Sequence, residues 1–201
     1  MPSEAVLAFD TSGSWCAVAV LRGGSVCAHR QEIMPRGQGE RLFSIIGAAM
    51  KDAGTEWSDL AAIGVGTGPG NFTGIRIGVA AARGLALGLD IPAIGVDRFS
   101  ALALDGPDLP ILLPTTRGLA WMARPGGTPE LVDPADVACP VIAAPGEIPA
   151  LPATPPALPL AVAIARLADT RRHTVQPRPA PLYLRPADAA PAADTAPALL
   201  D

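Results

Sequence analysis

The sequence predicts an α/β fold in which a mixed sheet is flanked by helices. Three observations predict it. The first thirty residues hold three strand-type runs separated by turn residues. Two helix-type patterns follow, each beside a short apolar strand. A glycine-rich loop, "GTGPG" from Gly66 to Gly70, joins one of those strands to a helix.

The elements follow in order. Strands are expected at Ala5 to Asp10, Trp15 to Leu21 and Ser25 to Arg30; Thr-Ser-Gly-Ser and Arg-Gly-Gly between them are turn chemistry, so two antiparallel hairpin connections open the chain. From Gln38 to Ala53 the residues Leu42, Ile45, Ile46, Ala49, Met50 and Ala53 recur on one face of a helix, and Gly54 stops it. Ala61 to Gly66 is a short apolar strand. Asn71 suits the N-cap of a second helix, Phe72 to Leu89. "PAIGV" gives one more strand and "DRFSALAL" a short helix. This βββαβαβ succession is the ribonuclease H-like order, antiparallel at one edge and parallel elsewhere.

Composition divides the 201 residues. Sixteen of the 21 glycines but only four of the 23 prolines lie in residues 1–100, so ordered α/β structure is expected first and a proline-punctuated module after it. The expected units are 1–104, a reduced second subdomain over 105–185, and a flexible tail over 186–201, which has almost nothing to bury. Within the second unit, Leu158 to Arg172 reads as a helix with Leu160, Ile164, Leu167 and Ala168 on one side. No run reaches the roughly 18 to 20 apolar residues of a membrane span, and an acidic start leading directly into a strand is unlike a signal peptide. Three cysteines without Cys-x-x-Cys spacing suit reduced thiols, so a cytoplasmic location with no membrane contact is expected. A net charge of −4 gives no electrostatic footprint for nucleic acid.

Two motifs carry the chemical question. Asp10-Thr11-Ser12-Gly13 is close to the Asp-Thr-Gly of aspartic proteases, but a serine stands at the glycine position. That mechanism also needs a second carboxylate to share a proton, and no second such motif exists. A strand ending in Asp-Thr-Ser-Gly can also present N–H groups and hydroxyls to an anion, as the first phosphate loop of sugar kinases and actin-like ATPases does, with the aspartate near a hydrated magnesium. A tight turn in which Asp10 bonds its own backbone is the simpler reading. The second motif, Gly66 to Gly78, offers close backbone approach at Gly68 and Gly70 ahead of a helix N-terminus. The helix from Phe72 to Leu89 has only Arg76 and Arg83 as charges; apolar on all sides, it reads either as a central core helix or as one that packs on the sheet with one face and meets a second protein with the other.

"LAFDTSGSWCAVAVL", "GVGTGPGNFTGIRIGVAAARGLALGL" and "IPAIGVDRFSALA" resemble the TsaB family, also called YeaZ, firmly over Ala5 to Leu104. "TTRGLAWMA" and "APLYLRP" are weaker echoes later in the chain. The resemblance implies an actin-like (ASKHA) fold of two ribonuclease H-like subdomains. It also implies a non-catalytic subunit that pairs with the TsaD paralogue, which transfers threonylcarbamoyl to N6 of the adenosine at tRNA position 37. A TsaE-like ATPase is an implied further partner, tRNA is contacted only indirectly, and a homodimer is expected when the chain is alone. The paired helices would supply the interface through Leu42, Ile45, Ile46, Ala49, Met50, Phe72, Ile75, Arg76, Val79 and Arg83. Asp10, Thr11, Ser12, Gly68 and Gly70 would be vestigial phosphate loops, without a bound cofactor.

The residues agree with a non-catalytic role. The catalytic paralogue's His-x-x-x-His metal motif has no counterpart, the histidines being His29 and His173 alone, and no catalytic or metal-binding residue is expected. The second half departs from the family in being short, which weakens one wall of any nucleotide cleft and the expectation of TsaE contact. An autonomous actin-like ATPase or small-molecule kinase, using Asp10 and the Gly68–Gly70 loop, is the alternative. A peptidase would need a nucleophile that the sequence does not reveal.

Overall fold

The structure is a computed structural model, and it describes residues 4–148 and 151–184. The expected tail, 186–201, lies outside them, as do Arg185 and Pro186 of the terminal motif. Strands β1 (Ala5–Asp10), β2 (Trp15–Arg22) and β3 (Ser25–Ile33) are followed by α1 (Gln38–Asp52), β4 (Leu60–Gly66), α2 (Phe72–Leu89), β5 (Ala93–Val96) and α3 (Arg98–Ala103). They form one five-stranded sheet in the order β3-β2-β1-β4-β5. The β1–β2 and β2–β3 pairs are antiparallel; β1–β4 and β4–β5 are parallel. Asn71 caps α2 as its sequence position suggests, its side chain accepting from the Gly74 N–H at 2.8 Å.

Strand β1 is the centre of the molecule, buried over its whole length. Because successive side chains alternate, Ala5, Leu7 and Phe9 meet α1 and α2 on one face of the sheet, while Val6 and Ala8 point to the other. The second face is covered from far along the chain. Helix α4 (Leu160–Arg171) lies across it, burying Ala161, Val162, Ile164, Ala165 and Ala168. The facing stripe runs through Ala161, Ile164, Ala165 and Ala168, and the half-buried Leu160 and Leu167 of the expected face pack against the same cluster at its margin. Small residues let the helix approach: a Cβ on Gly64 would stand 2.9 Å from Cβ of Ala168, closer than real contacts allow. Each fully buried side chain of Ile164 size contributes roughly 1.5–3 kcal/mol. An ion pair from Arg172 to Glu4 closes this helix onto the start of the chain.

The remaining residues build a smaller antiparallel sheet, β6 (Ile111–Pro114), β7 (Ala120–Ala123) and β8 (Glu130–Val132). Its Ile111 and Leu113 pack with Phe99 and Leu102 of α3, and Leu112 packs with Val141 and Ala143 on the opposite side. Thus α3 is the joint between the two sheets.

A candidate functional site of closed loops and an open helix face

The β1–β2 turn and the β4–α2 loop lie against each other. Asp10, Thr11 and Ser12 are at most 1% exposed. The Asp10 Oδ1 accepts three hydrogen bonds: from the Ser12 backbone N–H at 3.0 Å, the Ser12 hydroxyl at 2.9 Å and the Trp15 indole N–H at 2.8 Å. Its Oδ2 has no partner and rests against Gly66. The Thr11 hydroxyl donates to the Gly74 carbonyl at 2.7 Å, and the Asn71 N–H donates to the Ser12 carbonyl at 2.6 Å. The loop glycines are the counterpart of this packing. A Cβ on Gly70 would collide with the Ser12 carbonyl oxygen, and one on Gly74 with that of Thr11. Gly68, before the cis Pro69, has φ +93°, a left-handed conformation that favours glycine. The space between two phosphate-type loops is here filled by their own atoms.

A second polar link runs outward from this turn. Arg98, 3% exposed, places its guanidinium 5.3 Å from the Trp15 ring centroid, donates to the Pro69 carbonyl at 3.4 Å and to Glu147 Oε1 at 2.6 Å. Sequence reasoning missed Trp15, Arg98 and Glu147. A single charge opening the apolar helix "RFSALA" was a signal for Arg98; Glu147 lies in proline-rich chain with no periodicity to point to it.

Cys16 is buried and its Sγ–H donates to the Gln38 carbonyl at 3.6 Å. Burial, with Glu32 and Asp10 adding to it, pushes this thiol up to about 11, so it stays protonated and unreactive at neutral pH. His29 is on β3, and its imidazole is held below the usual histidine range by desolvation.

The helix residues expected at a partner interface divide sharply. Leu42, Ile45, Ile46, Ala49 and Met50 of α1, with Ile75 and Val79 of α2, are no more than 4% exposed and belong to the core against the sheet. The most apolar stripe of each helix covers the inner faces of β1, β2 and β4, so these seven positions turn away from solvent. Phe72, Arg76 and Arg83 stand on the open side. There Phe43 is 54% exposed and Leu87 85%, among Gly47, Ala80 and Gly84. Helix α2 has mean hydropathy 1.3, yet only a third of it is buried. At its first turn the Phe72 ring stacks on Tyr183 at 4.6 Å, and Arg76 lies 3.8 Å over Phe72 while donating to the Tyr183 hydroxyl at 2.8 Å.

A mixed sheet between helix layers, with two phosphate-type loops at its carboxyl end, defines an actin-like α/β protein. The family model that matches, TsaD (tRNA N6-adenosine threonylcarbamoyltransferase), covers residues 31–119. A TsaB protein of Escherichia coli is 41% identical over 98 residues, taking in 49% of this chain and 42% of that relative. An uncharacterised protein of Mycobacterium bovis is 34% identical over 201 residues, 94% of this chain and 95% of its own. Among solved structures, YeaZ from Pseudomonas aeruginosa superposes with a TM-score of 0.71 at 26% identity, over 90% of this chain and all of that one. The chain is thus similar to the TsaB (YeaZ) proteins, in sequence over about half of its length and in fold over 90% of it. Its match spans less than half the length of the curated TsaB relatives.

Proposed function

We propose that this chain is a non-catalytic accessory subunit of the machinery that makes threonylcarbamoyladenosine in tRNA, with the transfer to N6 of adenosine carried out by a TsaD-like paralogue. The observation that carries the reading is the closure of the two loops: Asp10 Oδ1 is taken up by Ser12 and Trp15, and Thr11 and Ser12 bond to the first turn and cap of α2, so the loops pack on each other. The partner face belongs to the open sides of α1 and α2, around Phe43, Ala80, Gly84 and Leu87, with Phe72, Arg76 and Arg83 at its edge. Exposed apolar area of this kind favours association, first with the paralogue and, without it, with a second copy of the chain. Contact with a TsaE-like ATPase, indirect contact with tRNA, a cytoplasmic location, and division into units 1–104 and 105–185 belong to the same proposal.

Light scattering after size-exclusion chromatography, on the chain alone and with the TsaD paralogue of the same organism, tests it. A one-to-one complex is expected, formed at the expense of any homodimer. A chain indifferent to that partner would sink the reading. The ATPase or kinase alternative predicts magnesium-dependent ATP binding by the lone chain that disappears in Asp10→Ala. On the scaffold reading, titration calorimetry with ATP gives no such site.

A further inference from the structure

A cavity of about 530 Å³ opens at the carboxyl ends of β4 and β5, and none of Asp10, Thr11, Ser12, Gly68 or Gly70 lines it. Thr67, Gly95 and Asp97 form its floor. One wall is Phe99 of α3 with the β7–β8 turn, from Arg124 to Gly127; the other is the extended segment from Gln176 to Leu182. That segment is fixed in place, because the Leu182 N–H donates to the Thr67 carbonyl at 2.8 Å and the buried Pro179 packs on Gly95. Three stretches distant in sequence thus line one open cleft, within the range of roughly 300–1,000 Å³ usual for small-molecule sites.

Its charges are unequal. The Asp97 carboxylate is already committed, accepting from the Ser100 N–H at 2.8 Å and the Ser100 hydroxyl at 2.7 Å as the cap of α3. Arg124 is steadied at the rim by Asp108 through Nη1 alone, at 2.6 Å to the carboxylate and 3.1 Å to the carbonyl. Arg178 is exposed and forms no ion pair among the described residues. The rest of the lining is largely apolar, with Phe99, Pro129, Leu182 and Leu184. We propose that this cavity binds a small amphipathic anion, its apolar body against Phe99 and Leu182 and its carboxylate or phosphate at Arg178, with Arg124 beside it. The site is independent of the scaffold reading.

Anilinonaphthalene sulfonate, an aromatic anion that fluoresces in apolar surroundings, is the probe. Titrated into the full chain, it is expected to saturate at one molecule per chain. Arg178→Glu should weaken binding by about tenfold or more, since a charge-assisted contact becomes a repulsive one. Ala180→Trp, which fills the cavity from an exposed wall position, should abolish it. Near-UV circular dichroism must be unchanged in both variants; if Ala180→Trp misfolds, the smaller Ala180→Leu replaces it. Competition separates the anions: displacement by AMP assigns a phosphate, displacement by octanoate a carboxylate. Probe binding unaltered in both variants, or displaced by neither competitor, overturns the proposal.

Discussion

At the scale of single residues, Asp10 and the glycines opposite it act through contact geometry. Gly74→Ala sets a methyl group against the Thr11 carbonyl oxygen, and both atoms belong to backbone held by hydrogen bonds. The loops must part, at a cost near the ~3 kcal/mol upper end of overpacking effects. Urea denaturation is expected to show that loss; an unchanged midpoint would mean the loops are not closed in solution. The thiols give an independent check. Cys27 and Cys139 are exposed and Cys16 is buried. With its pKa pushed up to about 11, Cys16 stays protonated at pH 8, so iodoacetamide should label two cysteines in the native chain and all three in urea. The linkage has a definite sign. A thiol whose folded pKa is raised disfavours folding once the unfolded thiol ionises, so stability should fall as pH rises from about 9 toward 11.

At the scale of elements, the two faces of the α1–α2 layer should respond oppositely to charge. Val79→Asp or Ile45→Asp buries an unpaired carboxylate in the core and is expected to unfold the protein, visible as loss of the helical circular dichroism signal. Leu87→Asp or Ala80→Asp, on the open side, should leave that signal intact and abolish association in chromatography. Sequence periodicity found the helices, to within a residue for α1 and to the residue for α2, but it could not orient them. In α2 apolar and small side chains surround the axis, so no amphipathic contrast existed to separate sheet side from partner side. In α4 the expected face was the right one, but its added alanines were uninformative in sequence, and Ala168 is among the residues that close packing on Gly64 requires. The Asp10 turn was legible, because an Asx residue with a following serine bonds locally; the Trp15 indole folding back onto it, and the Arg98–Glu147 pair formed across 49 residues, follow from tertiary packing that no local pattern announces.

At the scale of the whole molecule, helix α4 crosses the point at which composition divides the chain. The outer face of the first sheet carries Val6, Ala8, Ala17, Ala19, Leu21 and Ala62, and α4 is its cover. A fragment of residues 1–104 would expose that face to water. It is expected to aggregate or remain partly unfolded, and residues 1–184 to give a soluble chain with a cooperative thermal transition. A soluble, cooperatively melting 1–104 fragment would show that the first sheet stands without α4.

The position of α4 also bears on how the protein is born. The strand at the middle of the sheet is made well before the helix that covers it; the Glu4–Arg172 contact joins positions 168 apart. Long-range closure of this kind slows folding. Between the making of β1 and of α4 the nascent chain therefore carries an uncovered apolar surface, and that is the interval in which it is most prone to aggregate.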